Sequence, residues 1–256
     1  MKTFSNRLRI TGAAFAALFI SIHAVHADTG DSHEAYFGSY SGCALVMTRD
    51  RHRESRLEIG PEQCALPLSP CSTFKIPNAL IGLQQGVVSG PEHIKAWDGT
   101  PHSREANNRD HSLASAIEHS VVWYFQSLAR DVGAASMQSW LDRLDYGNRD
   151  ISSGIDRFWL GSSLKIPATR QLELLIALKH GTLPFRTMHQ AAVRSMLEQA
   201  SDLPGTLHAK TGSCRGDGQS EPDHGWFIGW IDWDLNRDRN PSTSFFVINI
   251  SCLLYT

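Results

Sequence analysis

The sequence predicts a mixed fold of the α/β class, α+β type: an antiparallel sheet flanked by helices, with an all-helical lobe inserted between its strands. Three observations predict it. A β-rich segment, "YFGSYSGCALVMT" (36–48), stands near the start. Helical periodicity dominates from about 91 to 180. Three strand-like runs then follow one another, "GTLHAKTGSC", "HGWFIGWIDW" and "TSFFVINISCLL". The sheet is therefore expected to form from both ends of the chain, 36–60 and 203–254, with the helical lobe at about 87–180. A chain of 256 residues, 41% hydrophobic and 20% charged, suffices for one large domain or two intimate lobes with a packed core.

The first 27 residues are set apart. Lys2, Arg7 and Arg9 give a basic start without any acid, "TGAAFAALFISI" is an apolar run, and "AVHA" supplies small residues before a cut after Ala27. This is the layout of a secretory signal peptide, and the run is too short to span a bilayer. The mature domain is expected at 28–256, in the periplasm and without a membrane anchor. Losing three cationic residues moves the formal charge from −2 to −5, which argues against nucleic acid or an anionic lipid surface as the main partner.

Next, "TRDRHRESR" (48–56) is interrupted by Asp50 and Glu54 and reads as a solvated strand end and hairpin. Residues 73–86 are expected as a helix ending near Gly86. "SLASAIEHSVVWYFQSLARDVG" (112–133) and "AASMQSWLDRLDYG" (134–147) have helical spacing and stop at glycines. "PATRQLELLIALKHG" (167–181) begins with proline and ends with glycine, and "FRTMHQAAVRSMLEQ" (185–199) is again helical. "NRDRNPS" is the turn between the last two strands.

Five cysteines, Cys43, Cys64, Cys71, Cys214 and Cys252, in an exported protein permit disulfides and leave at least one unpaired in a monomer. A short Cys64–Cys71 bridge bracing the segment before Ser72 is one expectation, and two buried thiols are the alternative. No CxxC, His–Cys or HExxH spacing occurs, so no metal site is expected.

Ser72 and Lys75 in "CSTFK" lie three residues apart at a helix start, on one face. Serine needs an adjacent base to act as a nucleophile, and burial beside Phe74 and Ile76 lowers a lysine pKa enough to make one. The bland alternative is an N-cap serine with a solvated lysine. Pro77 lacks an N–H and would clash with the Thr73 carbonyl in a regular helix, so an irregular turn is expected at Ser72. "SVV" (120–122), "YGN" (146–148), Trp159 in "FWLG" and "KTG" (210–212) are each ordinary alone: a helical serine, a helix-end turn, a core tryptophan and a strand tripeptide.

In that order, with "GWFIGW" following, they are specific. SxxK, SxV, YGN, a tryptophan and KTG resemble the penicilloyl-serine enzymes, and among them the class D (oxacillinase-type) serine β-lactamases. The resemblance runs from about Tyr36 to the end. It implies a β-lactamase/transpeptidase-like fold and a small-molecule β-lactam substrate. Ser72 would form an acyl-enzyme, and Lys75 would carry a CO2-derived carbamate and serve as general base. Ser120 would relay a proton to the leaving nitrogen, and Val121, Val122 and Trp159 would surround the base. Lys210, Thr211 and Gly212 would hold the substrate carboxylate. The backbone N–H groups of Ser72 and Ser213 would form an oxyanion hole, with Tyr146 and Asn148 shaping the site. No separately bound cofactor is implied. A C-terminal helix with a carboxylate-binding arginine is usual in the family; the chain stops at "NISCLLYT", leaving Arg215 as a candidate substitute and Phe245 and Val247 as residues expected on a bare sheet face. A β-lactam sensor domain and a D,D-peptidase share these motifs, whereas an α/β-hydrolase would need a GxSxG that is absent.

Overall fold

The computed structural model describes residues 33–215, 222–233 and 242–252; the signal segment and the turn at 236–241 lie outside them. Met1–Ser39 and Tyr40–Thr256 separate as two compact units. Within the first, His33–Phe37 is a short helix, α1. Strand character therefore begins at Ser41 rather than at 36, because Gly38 takes a left-handed turn (φ 59°) between helix and strand.

The second unit holds a six-stranded, wholly antiparallel sheet. Its strands are β1 (Ser41–Arg49), β2 (Glu54–Ile59), β5 (Glu198–Gln199), β6 (Gly205–Cys214), β7 (Asp223–Trp233) and β8 (Ser242–Cys252), in the spatial order β2-β1-β8-β7-β6-β5. Both ends of the chain thus meet in one sheet, and a hairpin joins β1 to β2, its turn closed by the Asp50 carboxylate accepting from the N–H groups of His52 and Arg53. A cross-strand row of Leu45, Val247, Ile228 and Lys210 runs across β1, β8, β7 and β6, so one strand face carries core residues and, at its edge, a lysine.

Two segments between the sheet halves depart from the expected all-helical lobe. Residues 87–111 form a loop with a two-stranded ribbon, β3 (Ile94–Lys95) and β4 (His111–Ser112), and a 3-10 turn at Glu105–Asn107. Side-chain oxygens take the backbone donors there: Asp110 accepts from Trp97 N, Asp98 from Thr100 N and Asn108 from His102 N. Asp and Asn compete with helical bonding in this way. Residues 145–167 are likewise non-helical, with Asn148 accepting from Lys165 N and Asp150 from Ser152 N.

The expected helix 112–133 is two helices, α4 (Leu113–Glu118) and α5 (Val122–Val132). Ser120 takes a left-handed conformation (φ 55°), Ser120 N donates to Ile117 O, and Val121 N donates to Ala116 O. That pair of bonds is the Schellman helix stop, with serine where glycine is usual. Helix α6 (Ala134–Leu144) stops the same way at Asp145 (φ 47°), before the expected Gly147. Helix α7 (Ala168–His180) runs from Pro167 to Gly181 as expected, and α8 (Thr187–Met196) ends three residues early because Glu198 and Gln199 pair with β6.

A 3-10 turn (Cys71–Phe74) stands between two helices: α2 (Pro61–Ala65) lies before it and α3 (Lys75–Gln85) continues from it to Gly86. The 3-10 turn is the irregularity that Pro77 predicts. Every residue of α3 from Lys75 to Leu83 is buried. The helix is tied to α5 by Asn78 Nδ2 donating to Phe125 O (3.2 Å). Helix α7 packs across β8, β1 and β7. Phe245 and Val247 are wholly buried on that face, in the same core cluster as Leu174, Leu175 and Leu178 of α7, which corrects the expectation that they are bare.

The cysteine pairing also differs from expectation. The disulfides are Cys43–Cys64 and Cys71–Cys214, and no Cys64–Cys71 bond exists. Cys64 sits in α2, folded back on β1, while Cys71 opens the 3-10 turn against the end of β6. The second bond closes a 143-residue separation, for which the chain-entropy estimate is about 5 kcal/mol at most.

Gly229 shows how tightly β7 and β6 approach. A Cβ there would sit 2.0 Å from His208 O and 2.9 Å from Ala209 Cα, both backbone. Gly229→Ala is expected to cost about 3 kcal/mol or more and lower Tm by about 6–12 °C. Gly90→Ala, with open space around it, is expected to melt like the parent. Thermal melting of the two variants checks the contrast. Among the described residues no helix is long and apolar enough to cross a membrane, and no group of His, Cys, Asp or Glu is placed to hold a metal.

Candidate active site

The site forms where the 3-10 turn and α3, the α4–α5 break and the edge of β6 converge. Lys75 Nζ donates to Ser72 Oγ at 2.8 Å. Lys210 Nζ donates to Ser120 Oγ and to Thr211 O, each at 3.0 Å. The left-handed turn at Ser120 is what directs its hydroxyl away from the helical lobe toward β6, and a non-glycine residue in that region costs free energy that a tertiary contact must offset.

Lys75 is 1% exposed. Burial, then the charges of Lys210 and Arg104, hold its ammonium well below the ordinary lysine range. An amine that is neutral near pH 7 and bonded to a hydroxyl can accept that hydroxyl's proton. Lys210 is lowered to about 8, by burial first and Arg104 second. None of Lys75, Lys210 and Arg104 forms an ion pair among the described residues. Among the described residues the cleft is therefore a cationic field without a paired counter-ion, suited to an anionic ligand.

The walls around Lys75 are apolar. Phe74 stacks on Trp159 (centroids 5.4 Å apart) and meets Tyr146 edge-on (5.6 Å). The Phe125 ring lies 5.6 Å from Lys75 Nζ, and Val121 is fully buried at the start of α5, while Val122 is only partly buried. Trp159 is fully buried, and its indole Nε1 has no hydrogen-bond partner among the described residues. An orphaned buried donor carries a desolvation cost of about 1–3 kcal/mol. It marks a place where an acceptor belongs.

Tyr146 and Asn148 hold the surrounding loop. Burial pushes the Tyr146 phenol upward. Asn148 Nδ2 donates to Ser163 O (2.8 Å), and Asn148 Oδ1 accepts from Lys165 N (2.9 Å). Gly212 is buried because β6 passes close to the 3-10 turn: a Cβ there would lie 3.0 Å from Pro70 O. Thr211 and Ser213 alternate with it and are exposed.

Arg215 follows β6 with its side chain exposed and makes no hydrogen bond or ion pair among the described residues. The arginine whose charge acts on both lysines is instead Arg104, which the sequence reading passed over in a polar stretch, "SREANN". The adjoining 3-10 turn is pinned by Trp123 Nε1 donating to Asn107 O and by the His111 ring against Ala106 O. Ser69 was also missed. Its carbonyl receives Trp226 Nε1 (2.8 Å) and the His224 ring nitrogen (2.9 Å), and its hydroxyl bonds Trp159 O (3.1 Å), lashing the nucleophile turn to β7 and the Trp159 loop.

Residues 40–238 match the family described as "Penicillin binding protein transpeptidase domain". The chain is 45% identical over 163 residues to the probable β-lactamase YbxI of Bacillus subtilis, spanning 64% of this chain and 60% of that protein. It is 34% identical over 205 residues to β-lactamase OXA-48 of Klebsiella pneumoniae, spanning 80% and 76% of the two. Among solved structures, the class D β-lactamase BAT-2 superposes with a TM-score of 0.77 at 37% identity, over 86% of this chain and 88% of that one. The site geometry, the order of the motifs and these matches agree: the chain belongs to the penicillin-binding-protein transpeptidase family and, within it, to the class D β-lactamases.

Proposed function

We propose that this chain hydrolyses β-lactam antibiotics through an acyl-enzyme on Ser72, and thereby confers resistance on its host. The observation that carries the reading is the 2.8 Å bond between Ser72 Oγ and a buried Lys75 amine whose pKa burial lowers well below the ordinary lysine range. Ser72 Oγ attacks the lactam carbonyl while its proton passes to the base at Lys75. The lactam C–N bond breaks, the nitrogen takes a proton from Ser120, which Lys210 holds, and Ser120 is reprotonated with the proton that the base at Lys75 took from Ser72. The field of Lys210 and Arg104, with the Thr211 hydroxyl, receives the substrate carboxylate, and the Ser72 and Ser213 N–H groups face the developing oxyanion. The base at Lys75 then takes a proton from a water as its oxygen attacks the ester carbonyl, and passes that proton to Ser72 Oγ as the acyl C–Oγ bond breaks.

The pocket fits a carbamate on Lys75. Burial favours the neutral amine, the form that reacts with CO2, and the Trp159 indole N–H and the Ser72 hydroxyl are candidate donors to an anion there. Carboxylated in this way, the lysine supplies a carboxylate-type base in both halves of the reaction. Two disulfides among the described residues support export to an oxidising compartment, consistent with a signal at 1–27 and a periplasmic site of action.

The test is a chromogenic cephalosporin with purified protein. Turnover far beyond one equivalent is expected. A burst of one equivalent that stops would transfer the chain to the β-lactam sensors, and absence of any acylation would remove the reading altogether.

A further inference from the structure

The Cys71–Cys214 bond lies beside the two residues whose backbone N–H groups are read as facing the single developing oxyanion. Cys71 immediately precedes Ser72, and Cys214 immediately follows Ser213. Both cysteines are buried, and their Cα atoms are 5.7 Å apart. Ser72 stands at the opening of the 3-10 turn, where a backbone N–H has no partner within the turn. On β6, Ala209 N donates outward, away from β7, to Leu197 O (2.8 Å). N–H groups of alternate residues in a strand point to the same side, so those of Thr211 and Ser213 also face outward. Strand β5 pairs only with Leu207 and His208, leaving that edge of β6 open beside the 3-10 turn.

We propose that the Cys71–Cys214 disulfide is a positioning device that brackets the backbone N–H groups of Ser72 and Ser213 and sets the spacing between them. The inference rests on the acyl-enzyme reading and adds a residue pair to it. Other ties hold the neighbouring chain: Ser69 O is bonded by His224 and Trp226, and Gly212 sits against Pro70 O. None of them spans the two donors themselves. Cys71 occupies the left-handed region (φ 46°), a backbone state that a non-glycine residue holds only under tertiary constraint, and the bond to Cys214 supplies such a constraint next to the nucleophile. Reducing the bond takes two electrons from an external dithiol and leaves two thiols; no atom of the reacting centre changes.

The test compares Cys71→Ala/Cys214→Ala with the parent and with Cys43→Ala/Cys64→Ala, which opens the disulfide between β1 and α2. A slow β-lactam is used to form the acyl-enzyme, and its ester carbonyl stretch is read by infrared difference spectroscopy. Opening Cys71–Cys214 is expected to move the stretch to higher wavenumber and lower kcat by roughly ten- to a hundredfold, with KM little changed. Opening Cys43–Cys64 is expected to lower Tm while leaving the stretch at the parent value. If the alanine pair fails to fold, the folded parent reduced by a dithiol, with the opened bond identified by peptide mapping, gives the same readout. An unchanged stretch and kcat after the bond is opened overturns the proposal. A parent protein that forms no acyl-enzyme overturns instead the functional reading beneath it.

Discussion

Ser72→Ala is expected to abolish turnover, by roughly 10^4-fold or more, because removal of a nucleophile leaves only binding and electrostatic stabilisation. Mass spectrometry after a slow β-lactam should find an adduct on the peptide containing Ser72 in the parent and none in the variant. The fold should survive. Ser72 is half-buried, and its hydroxyl accepts a hydrogen bond from Lys75. Removing that acceptor from the buried Lys75 amine costs about 1–3 kcal/mol, which for a chain of this size lowers Tm by several degrees without unfolding it. An adduct on another residue, or turnover within tenfold of the parent, would end the assignment of Ser72.

Activity is expected to depend on dissolved CO2, and increasingly so as pH falls. Lys75 is buried beside Phe74, Val121 and Phe125, and burial is the main cause of its lowered pKa. Above that lowered value the amine is neutral and takes up CO2; below it the amine is protonated and does not. The stability linkage has the same sign. The unfolded lysine is protonated below its ordinary pKa of 10.5, the folded one only below its lowered value, so between the two stability falls as pH falls. In degassed, mildly acidic buffer turnover should fall roughly tenfold or more, since a positioned base is worth about 10²–10⁴ in rate, and bicarbonate should restore it. Trp159→Phe keeps an aromatic ring over Phe74 but removes the orphaned indole N–H. It should raise the bicarbonate concentration needed for half-maximal activity. Carbon-13 NMR with labelled CO2 should show a carbamate signal in the parent that Lys75→Ala lacks. Equal rates with and without bicarbonate, together with no carbamate signal, would show that Lys75 works as a plain amine.

Much of the site was legible because its chemistry sits in short, ordered motifs. CSTFK, SVV, YGN and KTG name Ser72, Lys75, Ser120, Tyr146, Asn148 and Lys210 before any coordinates are known. Helix ends at Gly86, Gly133 and Gly181 and the three late strands were legible for a local reason: left-handed caps select glycine, and apolar spacing reports the buried face. Pro77 marked the irregular turn at Ser72 through its missing N–H.

The remainder was settled by contacts between residues distant in sequence. The stop at Ser120 reads locally as mid-helix, and the bond that its hydroxyl accepts from Lys210 of β6 is a tertiary contact that offsets the strain of a left-handed serine. The loop at 87–111 carries helix-compatible residues, yet Asp98, Asn108 and Asp110 capture the backbone donors once the chain has turned back on itself. Cys71 finds Cys214, 143 residues away, rather than Cys64, seven residues before it, because the 3-10 turn lies against the end of β6. Arg104 acts on Lys75 and Lys210 through space, and its sequence neighbours give no sign of it. Local sequence determined which groups are candidates for the chemistry and which helices stop at glycine, since those depend on residues within a few positions of one another. Tertiary structure alone decided which cysteines pair, where the lobe is irregular and which charges share the cleft, since those depend on distances that exist only after the sheet has closed.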